Sequence, residues 1–240
     1  MSLTHRPPDL RTAETRQRII DASLRLFAEH GFKGVSVRDI SAAAGVNVAA
    51  ISYHFGSKQG LYRTIFAMVL DEDEGRFTEQ MANVATLLGR AGGDRVLLGA
   101  AVEILAAGTV GRIATYEHTH WFSVLLAREL ALPGELFDLI YRRRAEPLLG
   151  LMTRLVAAAW GLAAEDPSAR LCANILYGQV GNLVFARPVL WRQLGWDGYT
   201  PERVDLLTRA ITDLICRSIG LTAAADDAPH QVQRSTGVPQ

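Results

Sequence analysis

The side chains with chemistry to offer crowd into one short stretch, where Arg38, Ser52, Tyr53, His54 and Lys58 bring cationic and hydrogen-bonding groups close together in sequence. Groups of this kind suit contacts to phosphates and base edges rather than bond making. Nucleophilic catalysis needs a nucleophile and a base within reach of each other, and Ser52 and His54, two apart on a short helix, face away from one another. The sequence contains no G-x-S-x-G, H-E-x-x-H or Walker loop. An enzyme is not expected, and no cofactor or metal is implied.

The elements that must carry these groups can be read from the same stretch. Ser36 precedes an apolar helical period (Val37, Ile40, Ala44) and has Asp39 three positions on, a pairing that caps a helix start. A first helix is expected from Val37 to Ala44. Gly45 then tolerates a turn, Val46 can point back into the core, and Asn47 can cap a second helix from Val48 to Phe55. In that helix Ile51 and Phe55 share one face, which leaves Val48, Ala49, Ser52, Tyr53 and, just beyond, Lys58 pointing elsewhere. Small side chains at Ala49, Ala50 and Ser52 would let a helix approach base edges closely. A glycine turn between two short helices is common in all-α proteins and decides little alone. The flanks add weight: a helix over Thr12–His30 precedes the pair, and Ser57 caps a long helix that leaves it.

Gly-Phe-Lys-Gly-Val-Ser-Val-Arg-Asp-Ile (31–40), followed by Ala-Gly-Val-Asn-Val-Ala-Ala-Ile-Ser-Tyr-His-Phe-Gly-Ser-Lys-Gln-Gly-Leu-Tyr (44–62), resembles the TetR/AcrR class of bacterial transcriptional regulators. The likeness runs without a gap from Arg16 to about Phe66, and Tyr-His-Phe-Gly-Ser-Lys is its most specific part. It implies that Ser36, Val37 and Arg38 meet the DNA backbone and groove, that Val48, Ala49, Ala50, Ser52, Tyr53 and His54 form the recognition helix, and that Lys58 holds a phosphate. Val48, Ala49 and Ala50 offer no hydrogen bonds, so base readout would rest on Arg38, Ser52, methyl contacts or DNA shape. Further on, Trp121–Leu132 with Arg128-Glu129, then Pro147, Gln179-Val-Gly-Asn182 and Phe185–Trp196, resemble the CecR-like C-terminal domain of one branch of these regulators.

Charge agrees with that division. The chain has no net formal charge, yet residues 1–60 carry 8 Lys+Arg against 5 Asp+Glu, while residues 61–240 carry 17 against 20. The basic part holds the candidate DNA-binding residues. The most apolar stretch, Val96–Val110, is interrupted by Glu103 and falls short of the roughly 20 residues a membrane span needs. The first residues lack a signal-peptide core, and Cys172 and Cys216 show no CxxC spacing. A cytoplasmic protein with inert thiols and no membrane partner is expected.

The fold class expected is all-α: a helix-turn-helix domain over 12–58, a larger helical effector-binding and dimerisation domain over 59–221, and disordered ends at 1–11 and 222–240. The acidic run Asp71–Glu74 could split the helix after Ser57. Asp94 caps another reaching about Gly111, Tyr116–Leu130 forms the next, and Pro147 should kink a long helix that ends at Trp160. Asp166-Pro167 and Thr200-Pro201 each pair a cap with a first-turn proline, opening helices that end near Arg187, before Pro188, and near Ile219.

A single recognition helix touches few bases, so a homodimer on a palindromic operator is expected. The helices after Pro167 and Pro201 are apolar on more than one face. They supply Leu171, Ile175, Gly178, Gly181, Asn182, Phe185, Leu207, Ile211 and Leu214 as candidate interface residues. The resemblance implies the same, with these two helices of each subunit packing into a four-helix interface. A small-molecule effector pocket could draw on His118, Trp121, Phe122, Tyr141, Met152 and Asn174. His118 and His120, two apart, cannot chelate one metal together. Arg142-Arg143-Arg144 reads as a solvated face, although an acidic effector could use one of these arginines. The rival reading is a helical adaptor that binds only protein, since its sequence would be equally amphipathic.

Overall fold

The computed structural model describes residues 10–115 and 119–221, in which every regular element is helical. Helix α1 spans Leu10–His30, so Leu10 and Arg11 are helical rather than part of a disordered end. It is followed by α2 (Val37–Ala44), α3 (Val48–Phe55) and α4 (Lys58–Glu72). The acidic run does divide the long apolar pattern: Asp73, at φ −105° and ψ 0°, ends α4 and starts α5 (Glu74–Ala91). Next come α6 (Arg95–Thr115) and α7 (Thr119–Ala131).

The kink expected at Pro147 takes the form of a π turn. Helix α8 (Phe137–Ile140) runs into a widened turn over Tyr141–Ala145, and α9 (Glu146–Trp160) follows directly. Proline has no N–H to give, and in a regular helix its ring would press on the carbonyl four residues back. The wider turn, closed by the Glu146 N–H on the Tyr141 carbonyl, precedes it. Helix α10 spans Pro167–Phe185, and Pro188 does not merely end it: this residue sits in the first turn of a further helix, α11 (Arg187–Leu194). The last helix is α12 (Pro201–Ser218).

Two apolar cores result. One gathers Ile19, Phe27, Ile40, Ile51, Leu61, Ile65 and Phe66 from α1–α4 together with Phe122, Leu125, Leu136 and Ile140 from α7, the loop after it and α8. The other joins Val84, Leu98, Val102, Leu155, Val156, Ala173, Ile211 and Ile215 from α5, α6, α9, α10 and α12. The chain division expected after Lys58 therefore does not coincide with the division of the cores, because a segment near residue 130 completes the first. Helix α6 runs past its expected end, and by length and composition alone it would suffice to cross a bilayer. In the fold it packs against α5, α9 and α12 as a central helix of the second core.

Candidate nucleic-acid interface and effector cavity

The helix pair forms as its residue types dictate. The Ser36 hydroxyl accepts from the Asp39 N–H at 3.2 Å, and the Asp39 carboxylate accepts from the Ser36 N–H at 2.7 Å. Hydrogen bonding of the Asp39 carboxyl to the Ser36 side chain and to the Ser36 N–H holds it below its ordinary range. Asn47 caps α3 through the Ala49 N–H at 2.9 Å. Between the helices Gly45 adopts φ +61°, the left-handed region that disfavours a side chain. Arg18, on α1, donates to the Ala44 and Gly45 carbonyls and so fixes the turn against the first helix. Sequence reading missed Arg18, since nothing near it in the chain marks its target.

Ile51 is fully buried and Phe55 half-buried, which turns the opposite side of α3 outward. Val48, Ala49, Ser52 and Tyr53 are exposed, Tyr53 to 80%, with Ala50 and His54 half-covered beside them. The His54 ring meets the Tyr53 ring edge-on at 5.1 Å. On α2, Arg38 is exposed and Val37 partly buried, while the Ser36 hydroxyl is committed to its cap. Lys58 departs from the expected role. Its Nζ donates to the Phe32 and Val35 carbonyls at 2.8 and 2.9 Å and lies 4.2 Å from the Phe32 ring centroid. Two of its three donors are thus spent on tying the α1–α2 loop to the start of α4, because these carbonyls point inward and need a partner.

Between the two cores lies a cavity of about 620 Å³. Phe122, Met152 and Asn174, expected as pocket residues, line it. Two others do not: Trp121 packs into the first core with the Arg25 guanidinium over its ring, and Tyr141 stacks on Phe137, partly exposed. His118 lies outside the described residues. Asp73, Phe77, Thr109, Arg112 and Tyr177, none of them expected as pocket residues, also line the cavity, as does Arg144 of the arginine run. They come from three helices, the α4–α5 junction and the π turn, and only packing brings them together.

The arginine run is not simply a solvated face. Arg143 pairs with Asp71 at 2.8 Å and with Glu74 at 2.7 Å, and Arg144 reaches Glu74 at 2.7 Å and also donates to the Leu70 carbonyl. Arg144 and Arg143 hold the Glu74 carboxyl below its usual range. The π turn is thereby fastened to the α4–α5 junction.

On α10, Leu171, Ile175, Gly178 and Asn182 are exposed, while Gly178 and Gly181 also border the cavity. The Phe185 side chain lies outside the described residues. On α12 the expected interface residues divide. Leu207 and Ile211, each 7% exposed, face the second core of their own subunit, and Leu214 at 42% stays exposed with Leu206 at 51%. Helix α12 has two apolar stripes, and α6 covers the one that holds Leu207 and Ile211.

Residues 19–65 match the profile of the bacterial regulatory proteins of the tetR family, and residues 101–221 match the C-terminal domain of the HTH-type transcriptional dual regulator CecR. The chain is 27% identical over 209 residues to the CecR regulator of Shigella flexneri, covering 86% of this chain and 93% of that one. A TetR-like transcriptional regulator from Rhodococcus sp. RHA1 superposes with a TM-score of 0.54 at 20% identity, over 90% of this chain and 99% of the other. AibR, solved in complex with isovaleryl coenzyme A and operator DNA, superposes with a TM-score of 0.52 at 16% identity, over 83% and 97%. With one profile over its helix-turn-helix and the other over half its length, the chain belongs to the TetR family of transcriptional regulators, in the branch with a CecR-type C-terminal domain.

Proposed function

We propose that two copies of this chain bind a palindromic operator as a repressor in the cytoplasm, and that a small molecule entering the cavity releases them. Phe122 carries the reading, because it belongs both to the core that supports the helix-turn-helix and to the cavity wall. Val69 and Leu70 of α4 also line the cavity, on the helix that continues from the DNA-binding unit. A ligand that fits one arrangement of α4 and α7 better than another shifts the spacing of paired recognition helices, which must sit about 34 Å apart on B-DNA. It then weakens DNA binding by the same differential free energy, typically about 1 to 3 kcal/mol. AibR, with an acyl-coenzyme A and operator DNA in one complex, is a precedent for that pairing on this fold.

Base contacts in this reading come from Arg38, Ser52 and the methyl groups of Val48, Ala49 and Ala50, and phosphate contacts from Tyr53 and His54, with Ser36 and Val37 close to the backbone. The dimer forms on the exposed stripes of α10 and α12, led by Leu171, Ile175 and Leu214. The relative from Shigella flexneri is a dual regulator by name, which favours a second reading in which the sign of regulation depends on operator position. Titration of the protein against DNA flanking its own gene, at two salt concentrations, tests the proposal. Nanomolar, salt-steep, sequence-selective binding supports it; an adaptor that binds only protein gives none. A promoter fusion in cells with and without the protein then reads the sign.

A further inference from the structure

We infer that the cavity is a site shared between two copies of the chain: its mouth opens on the outer flank of α10, and α10 of the second copy closes it. This rests on the effector and dimer readings above and adds the way the two are linked. The wall supplied by α10 runs from Leu176, buried in the second core, past Tyr177 to Asn174 and Gly178, which are exposed. One helix thus carries the cavity from the interior of the subunit to its surface. Of the remaining wall residues only Ala131, in the last turn of α7, is exposed. Leu171 and Gly178, seven apart, stand on one line of α10, with Ile175 beside them. Leu171 at 64% and Ile175 at 55% exposure belong to the stripe proposed for pairing, and neither lines the cavity. Mouth and pairing stripe therefore occupy the same side of α10.

The wall is largely hydrocarbon, including Leu105, Leu126, Met152 and Leu155, and the gain from seating an apolar ligand there scales with the area taken out of water. In a single subunit part of that ligand stays wet at Asn174 and Gly178. The occupant that covers it is a second copy, because a helix-turn-helix reader of a palindrome works in pairs and because α12 adds its own exposed stripe, Leu206 and Leu214. Gly178 has no side chain, and a Cβ built on it meets nothing within 4 Å among the described residues, so a facing backbone can come close. Two-fold pairing is reciprocal: a subunit whose α10 covers its partner's mouth has its own mouth covered in turn. Enclosed ligand then strengthens pairing by the same free energy with which pairing strengthens ligand binding. With one site in each subunit, a tenfold preference for the dimer at each site tightens pairing about a hundredfold at saturation. The effector-bound protein therefore leaves its operator as an intact dimer, through the spacing of its recognition helices and not by falling apart.

Binding of the neutral apolar dye N-phenyl-1-naphthylamine to the full-length protein tests this, read by fluorescence over a dilution series whose dimer content is measured by sedimentation. The dimer is expected to bind the dye about tenfold more tightly than the monomer, and saturating dye to move dimer dissociation to about hundredfold lower protein concentration. Ile175→Asp and Leu214→Asp, on different helices and outside the cavity wall, are each expected to give monomers with the weak dye affinity of diluted wild type. Gly178→Leu has room in a single subunit and is expected to fold like wild type yet pair more weakly. The dilution series needs no variant, so a variant that fails to fold leaves the test standing. Monomers that hold the dye as tightly as dimers overturn the inference and leave the cavity and dimer readings intact. Dimers that persist in both aspartate variants place pairing elsewhere and overturn the dimer face together with the inference. A wild-type dimer that binds no dye overturns the cavity reading, and the inference with it.

Discussion

The Tyr62 hydroxyl donates a 2.7 Å hydrogen bond to Glu129 Oε1 inside the protein, fastening α4 of the helix-turn-helix unit to α7, which also walls the cavity. Burial, reinforced by the Glu129 carboxylate, pushes the phenol far above its ordinary range, so it remains a donor. Glu129 is 7% exposed, and its Oε2 has no hydrogen-bond partner among the described residues. Tyr62→Phe would leave a buried carboxylate without that donor, which costs about 1 to 3 kcal/mol. Urea denaturation should record that loss, and Tyr62→Phe/Glu129→Met should recover part of it. Equal stability of wild type and Tyr62→Phe would mean that water takes over the donor's role.

The turn of the DNA-binding unit offers a second test. A Cβ on Gly45 would lie 2.6 Å from the Arg18 Nη2, on a backbone at φ +61°. Left-handed geometry costs a side chain about 1 to 2 kcal/mol before any clash. Gly45→Ala should therefore lower the denaturation midpoint and weaken operator binding, and a midpoint equal to wild type would contradict the account.

Tyr53 and Lys58 should behave differently, although sequence reading gave both to phosphates. Tyr53→Ala removes an 80% exposed ring and should leave stability unchanged while weakening binding to all DNA sequences alike. Lys58→Ala strips the donor from the Phe32 and Val35 carbonyls and should destabilise the fold by about 1 to 3 kcal/mol. Fluorescence anisotropy on two unrelated duplexes, alongside thermal melts, separates them; a Lys58→Ala protein of native stability would restore the phosphate role.

Subunit pairing can be probed on α10 and α12. Ile175 is 55% exposed, so Ile175→Asp should fold normally yet sediment as a monomer and lose operator affinity. Ile211, at 7% exposure, belongs to the core of its own subunit, and Ile211→Asp should unfold the protein. A dimeric Ile175→Asp protein would place the interface elsewhere.

Acid sensitivity should trace in part to the α4–α5 junction. Hydrogen bonds from Arg144 and Arg143 lower the Glu74 carboxyl from its ordinary 4.5. A folded-state value below the unfolded one gives stability that is present above about pH 4.5 and lost as pH falls through the lower value. Glu74→Gln should flatten the fall in stability below that pH, leaving neutral-pH stability little changed because the group is partly solvated. Identical acid profiles for the two proteins would rule out this contribution.

What the chain determines by itself is local. The Ser36–Asp39 cap, the Gly45 turn, the Asn47 cap and the Ile51–Phe55 face each involve residues within four positions, and the bounds of α2 and α3 follow from them. Residue types at short spacing set backbone conformation there, and the outward side of α3 is whatever its buried side leaves over. Tertiary structure decided the rest, because it depends on which distant groups meet. It turned Lys58 inward to the Phe32 and Val35 carbonyls, sent one stripe of α12 against α6, and brought Asp73, Arg112 and Arg144 to one end of a cavity. It also let α7 and α8 finish the core of the helix-turn-helix unit. Helical periodicity says that a face is apolar; which neighbour buries it is a property of the packed whole.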